Sequence, residues 1–397
     1  MKEIMKATDT FGSLKNVRES KSFPVSQYYS FIAKFMEHLH SRIPSNDSAD
    51  TRKPAHIEIR EEYYKGKNTK RAVIFLLSNG CEWALKSAHG CTMCGHIAKQ
   101  TRYDKLISAD DFIIQFETAF SSVDFEEIPI LNIFNNGSFL NDNELPSVAR
   151  NKILSIIRNN KSIKKLLIES RPEFITESIV QEIKSLLPNT EIEIAIGLET
   201  TDDLRRIISI NKGFSLGQFT EAAKIIIKEN IGLRSYILLK PPFYSEKEAI
   251  NDAVNSIKTA FSLGVKTVSL EAMTVQKYTL IEYLFNHKLY QMPWLWSIVE
   301  VIKQTLNYGR VTVGLFKFYP SPDCVPNNCR KCNDLVMDAI VEYNRTLKAE
   351  IFDKIHCQCK EDWGKVINDK SDFYTNLNDF VMVAKKEGLT GESRIPG

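Results

Sequence analysis

Three cysteines, Cys81, Cys91 and Cys94, share one stretch with the spacing C-x9-C-x2-C. An apolar run of strand length, residues 72–78, comes just before it. Thiolate sulfur is a soft ligand that suits iron, and three thiolates can hold three irons of a [4Fe-4S] cluster. No fourth cysteine lies nearby, so the fourth iron would stay open to a small molecule. A zinc knuckle is the competing use of the same residues, with His89 or His96 as fourth ligand. Zinc usually takes two close pairs, and this spacing supplies only one.

The other five of the eight cysteines fall between Cys324 and Cys359. Cys329, Cys332, Cys357 and Cys359 can close a tetrahedral site, leaving Cys324 as a spare and His356 as an additional candidate ligand. A site with four protein ligands has no open position and is structural, whether it holds zinc or an auxiliary cluster. Clustered cysteines in a chain of 397 residues point to metal binding in a reducing cytosol rather than to disulfides.

These loops need a scaffold. The composition is that of a soluble globular protein, and a net charge of +3 does not by itself announce a nucleic-acid partner. No hydrophobic leader or membrane-length run is present, which makes the expected location cytoplasmic, without a membrane partner. Residues 1–21 are polar and read as loose. Tyr28, Ile32, Phe35, Leu39 and Ile43 then recur at helical spacing after an N-cap at Ser26, and Pro44 ends the run. Residues 45–70 read as a polar loop, in which Lys65, Lys67 and Lys70 with Arg71 form a solvated cluster or touch phosphate. From there strand-like stretches at 72–78, 129–134, 165–169, 191–197, 233–239 and 266–270 alternate with helical ones at 109–120, 144–159, 176–187, 219–229 and 245–263. Such alternation implies right-handed crossovers and a parallel α/β sheet. A further helix is expected over 335–347, between the two halves of the C-terminal cysteine set.

The first loop resembles that of the radical S-adenosylmethionine (SAM) enzymes. Its long first gap is similar to the branch containing the Elongator catalytic subunit. Cys81-Glu-Trp with Cys91-Thr-Met-Cys94-Gly resembles the family that forms archaeosine in tRNA. The resemblance covers residues 71–363. It implies a partial (β/α)6 TIM-like barrel over 71–318, flanked by an N-terminal extension (1–70) and a cysteine-rich module (319–397). It also implies chemistry at the C-terminal ends of the strands, an open cluster iron that binds SAM, and a reductant such as flavodoxin or ferredoxin.

Polar motifs sit at those strand ends. Asn136, Gly137 and Ser138 resemble the glycine-rich segment that holds the SAM amino group. Glu169 and Arg171 are candidates for the SAM ribose or amino group and for its carboxylate, which a guanidinium matches as a fork. Glu199 and Thr200, in Gly-Leu-Glu-Thr, lie at the depth of SAM, and the Asn-Lys-Gly-Phe segment after them is also family-like. Lys212, Lys240, Glu271 and Gln276 are candidate substrate contacts. Trp294 and Trp296 are expected to pack under the barrel rather than stack on a base, with Ser297 capping the next helix. The chain departs from the family pattern at His96, where an aromatic is expected, and at Asn136, where the family has a serine-rich turn.

The family's reaction would be radical cleavage of SAM, hydrogen abstraction and C–N bond cleavage on a lysine-modified deazaguanine in tRNA. The alternatives are a radical SAM enzyme acting on a small molecule, nucleoside or peptide, and a zinc-stabilised binding protein without catalysis.

Overall fold

The central strands are largely apolar, as expected where crossover helices cover a sheet, but Asn132, Arg234 and Glu271 interrupt them where they line a central cavity. The computed structural model describes residues 25–44, 50–85, 89–99 and 106–389. The expectation for residues 1–21 lies outside these. Helix α1 (Val25–Ser41) comes first and already contains Ser26, so that residue belongs to the first turn rather than capping it. An antiparallel hairpin follows, formed by β1 (His56–Tyr64) and β2 (Lys67–Phe75). The sheet therefore begins inside the stretch read as an N-terminal extension, and the basic cluster is part of a strand pair, not a loop. Alternating charges hid β1. As an edge strand it buries few side chains fully, so it lacks an apolar run.

A short helix, α2 (Glu82–Leu85), lies within the first cysteine loop, and α3 (Ala109–Ser121) leads back to β3 (Ile130–Phe134). The alternation continues through α4 (Ser147–Asn159), β4 (Lys165–Glu169), α5 (Glu177–Leu186), β5 (Glu191–Glu199), α6 (Leu216–Lys228) and β6 (Gly232–Leu239). Next come α7 (Glu246–Ser262), β7 (Thr267–Ala272), α8 (Leu280–Asn286), α9 (Leu295–Thr305) and β8 (Arg310–Val313). The eight strands pair in sequence order, and all pairings after the first are parallel. Six of them match the strands expected, with β1 and β8 added at the edges. The result is an open, curled α/β half-barrel. Arg310 on β8 stitches its two edges, donating to Glu62 on β1 at 2.9 Å and to the Tyr63 carbonyl at 2.7 Å.

Serine capping boxes start three of the return helices: Ser108 with Asp111, Ser215 with Gln218, and Ser245 with Glu248. Each satisfies two orphan N–H groups and fixes where its helix begins. Helices α10 (Asn333–Thr346), α11 (Cys359–Ile367) and α12 (Phe373–Lys386) form the C-terminal module. This module shares the barrel's core. Phe380 of α12 packs edge-on against Phe31 and Phe35 of α1, with ring centroids 5.4 and 5.0 Å apart. Among the described residues no helix is long and apolar enough to cross a membrane.

Candidate active site

A cavity of about 450 Å³ fills the interior of the half-barrel and opens at the strand tips. Cys81, Cys91 and Cys94 all line it. Residues 86–88 of the loop lie outside the described set, but its two ends are held by named bonds. The Asn211 side chain donates to the Gly90 carbonyl at 2.6 Å, and the Trp83 indole donates to the Asn211 carbonyl at 2.7 Å. Thr92 donates through its N–H to the Ile210 carbonyl at 3.0 Å and through its hydroxyl to Ser209 at 2.6 Å. Asn211 can serve both loop ends because its backbone is left-handed, at φ 53°. The Asn-Lys-Gly-Phe segment is thus the brace of the cysteine loop.

Glu144 is the second brace. Its carboxylate accepts from the Glu82 N–H at 2.9 Å, from the Asn141 amide at 3.0 Å and from the Ser138 N–H. One buried acid therefore joins the residue after Cys81 to the tip of β3. Gly137 passes between them, and a Cβ there would come within 1.9 Å of the Glu144 carboxylate. Gly137→Ala is expected to cost about 1–3 kcal/mol of stability by overpacking. It should also impair iron uptake by the loop, as read by thermal unfolding and by iron content after anaerobic reconstitution. Unchanged values for both would remove Glu144 from this role.

Burial pushes the Cys81 thiol up to about 12 and the Cys94 thiol up to about 11. It also raises Cys91, against the pull of the Lys212 and Arg171 cations. Iron overrides such shifts by deprotonating a coordinating thiol outright. The donor set fits a cluster: three thiols converge on one cavity, beside two cations that offset thiolate charge. The single-ion geometry seen at the C-terminal cysteines is not what this loop presents, since its three sulfurs do not form such a tight group.

Arg171 stands beside the thiols. Its guanidinium lies 5.0 Å from the Trp83 ring centroid and donates to the Lys212 carbonyl at 2.9 Å and to Glu173 at 2.5 Å. Burial works against its charge, but Glu173 and the thiols outweigh that and raise its pKa. Its Nη2 is buried and has no protein partner, which leaves a donor facing a ligand space.

Glu199, Glu169 and Glu271 also line the cavity. Glu199 pairs with Lys212 at 2.7 Å. Burial works against the Lys212 charge, but Glu199 and the Cys91 thiol outweigh it and raise its pKa, so its charge is reinforced. Glu169 accepts a hydroxyl from Tyr236 at 2.7 Å, and Glu271 accepts one from Ser269 at 2.6 Å. Neither forms an ion pair among the described residues. Burial pushes Glu169 up to about 7 and also raises Glu271.

Asn136 and His96, the two departures from the family pattern, meet here. Asn136 works to raise the His96 pKa, but burial outweighs it and pushes His96 down to about 4. Both line the cavity, and His96 Nδ1 and Asn136 Nδ2 are buried without partners. Asn136 and Glu199 have positive φ, at 54° and 67°, and strained backbone of this kind concentrates at working strand tips.

Other expected contacts are placed differently. Gln276 lines the cavity, but its amide is occupied by the Gly95 N–H at 2.9 Å and the Pro320 carbonyl at 3.1 Å, so it holds the loop. Ser138, Thr200 and Lys240 lie outside the cavity wall. The Ser138 hydroxyl accepts from the Arg171 N–H at 3.2 Å and ties two strand tips together. Thr200 donates to Asp252 at 2.8 Å. Lys240 has φ 62°, which turns its side chain onto Glu246, 2.7 Å away. Ser297 does not cap α9. It sits inside the first turn and bonds Glu246, whose carboxylate also accepts from the Trp294 N–H at 3.0 Å. An acid from α7 has taken over the capping. Trp296 is buried, as packing required.

Glu144, Tyr236 and Asn132 were not singled out from the sequence. Glu144 follows a turn and precedes a helix, where an acid is ordinary, and only its position across from Cys81 gives it a role. A polar Asn132 within an otherwise apolar strand was the one signal in the sequence, and its buried Oδ1 has no partner in the structure, where Asn132 lines the cavity.

No family model matches the chain. It is 34% identical over 322 residues to archaeosine synthase subunit beta of Methanosarcina acetivorans, covering 80% of this chain and 90% of that protein. It is 31% identical over 318 residues to archaeosine synthase subunit beta of Thermococcus kodakarensis, covering 78% and 95%. Among solved structures, Elp3 of Methanocaldococcus infernus aligns over 58% of each chain with 11% identity and a TM-score of 0.45.

Proposed function

Because the chain belongs to the archaeosine synthase subunit beta family, we propose that it is a radical SAM enzyme acting on a lysine-modified deazaguanine in tRNA, where it breaks a C–N bond. The observation that carries this reading is the convergence of Cys81, Cys91, Cys94 and the half-partnered Arg171 on one end of a single cavity. A [4Fe-4S] cluster held by Cys81, Cys91 and Cys94 would supply the electron for reductive cleavage of SAM and so the hydrogen-abstracting radical.

The chain's own residues supply the rest. Cys81, Cys91 and Cys94 hold the cluster. Arg171 binds the SAM carboxylate, with Asn136, Gly137 and Glu199 around the remaining polar groups. Glu169 and Glu271, half-buried and without ion-pair partners among the described residues, receive a cationic substrate group such as the ammonium of a lysine adduct. Lys212 holds Glu199 in place through their ion pair. The walls exclude water from the reacting centre. Electrons come from a flavodoxin- or ferredoxin-type reductant, and the relatives' designation as a beta subunit supports work alongside a second subunit.

The test is anaerobic reconstitution with iron and sulfide, followed by dithionite and SAM. 5'-Deoxyadenosine should form, and tRNA carrying the lysine adduct should stimulate it. Stimulation by a free nucleoside but not by tRNA would move the substrate to the small-molecule class, and no product would overturn the enzyme reading.

The acid pair carries a pH prediction. A carboxyl near 7 is neutral below that pH and anionic above it. Affinity for a cationic substrate should therefore rise as pH increases from 6 to 8, with an inflection near the Glu169 value of about 7. The profile of KM against pH checks this, and Glu169→Gln should flatten it. An identical profile in that variant would show that Glu169 does not meet the cation.

A further inference from the structure

The four C-terminal cysteines form a second centre that the proposed reaction does not use. Cys329 Sγ lies 3.8 Å from Cys332 Sγ and 3.4 Å from Cys357 Sγ, and Cys332 Sγ lies 3.5 Å from Cys359 Sγ. All four sulfurs fall within 4.8 Å of one another. We infer that these four thiolates bind a single zinc ion in a closed tetrahedral site, and not an auxiliary iron–sulfur cluster.

The spacing decides between the two. With zinc–sulfur bonds of about 2.3 Å, the edges of a regular tetrahedron are about 3.8 Å. The three separations lie at or just below that length. Thiolates on a cubane each cap a different iron and point outward, so four of them stand much farther apart than this. Cys324 is not part of the group. Its carbonyl accepts from the Val275 N–H at 2.9 Å, which places it at a β-bridge beside β7.

The local chain is built for such an ion. Cys329 and Cys332 sit on a knuckle in which the Cys329 carbonyl accepts from the N–H groups of Cys332 and Asn333, at 3.2 and 3.1 Å. Cys332 is the N-cap of α10, and Cys359 opens α11. Two helix N-termini thus face the thiolates, where their dipoles favour negative charge. The Trp296 indole N–H donates to Cys359 Sγ at 3.3 Å, an outer-shell bond that orients a ligand. Arg330, Lys331 and Lys360 neighbour the ligands in sequence.

The site fastens the C-terminal module to the barrel. Helix α11 carries Trp363, whose indole donates to the Ser297 hydroxyl at 2.8 Å. Ser297 bonds Glu246, and Glu246 holds Lys240 at the tip of β6. An ion at the start of α11 therefore sets the position of a chain of contacts that ends at the barrel mouth.

Elemental analysis of the full chain, purified anaerobically, should find about one zinc per molecule. X-ray absorption at the zinc edge should show four sulfur ligands at about 2.3 Å. The zinc content should be unchanged in Cys91→Ala, which removes the barrel iron, so failure of this proposal and failure of the radical SAM reading are separable. The double variant Cys329→Ser, Cys357→Ser should lose zinc and keep the barrel iron. Should that variant fail to fold, cobalt exchange into the intact chain gives the same information through tetrahedral thiolate absorption bands. Iron or sulfide at these four cysteines, nitrogen or oxygen ligands in the zinc spectrum, or no bound metal would each overturn the assignment.

Discussion

Cys91→Ala is expected to strip the barrel of its cluster iron and reduce 5'-deoxyadenosine formation to background, while the fold survives. The backbone on either side of Cys91 is secured independently of its thiol. Gly90 is held by the Asn211 side chain at 2.6 Å, and Thr92 is held by Ile210 and Ser209. Removing one sulfur leaves those bonds intact. It leaves two thiols, which cannot retain a cluster that needs three protein ligands and one open iron. Iron per chain should fall from about four to near zero after reconstitution, with the thermal midpoint little changed. Retention of full iron content in this variant would sink the three-thiolate model outright.

Arg171→Ala should give the next largest effect, and a different one. The cluster should still assemble, because Arg171 is not a ligand. The affinity for SAM should drop roughly 10- to 150-fold, the range set by loss of a charge-assisted hydrogen bond of about 1.5–3 kcal/mol. The guanidinium is held by Glu173, the Lys212 carbonyl and the Trp83 ring, with Nη2 left over for a ligand. Arg171→Lys restores the charge without the planar fork and should fall between the wild type and the alanine variant. Equilibrium dialysis with SAM, read against iron content in the same samples, separates lost affinity from a lost cluster. Unchanged affinity at full iron loading would remove Arg171 from the SAM site.

Both expectations depend on a brace that is hard to see in the linear chain. Glu144 lies 62 positions from Glu82 and Asn211 lies 121 from Gly90, yet the folded chain makes Glu144 and Asn211 hold opposite ends of one loop. Asn211 was legible only as part of the family-like Asn-Lys-Gly-Phe segment, and Glu144 carries no distinctive sequence pattern. The same is true of Glu246, which serves Lys240, Ser297 and the start of α9 together. Such acids do their work through neighbours brought close by the crossovers.

The linear chain by itself determined the chemistry and the architecture. Thiolate spacing is local, so C-x9-C-x2-C and the C-terminal cysteine pairs were legible as candidate metal ligands. Hydrophobic periodicity is also local, and it was enough to find six strands and the crossovers between them. Tertiary structure decided the rest. It added β1 and β8, whose edge positions suppress the apolar pattern that marks a buried strand. It sorted the polar strand tips, turning Glu169, Arg171, Glu199 and Glu271 into the cavity and Ser138, Thr200 and Lys240 away from it. That sorting follows from backbone dihedrals at single residues and from partners distant in sequence, such as Asp252 for Thr200 and Glu246 for Lys240. A side chain's direction at a strand end is set by what the folded chain puts beside it, and local sequence carries no record of that.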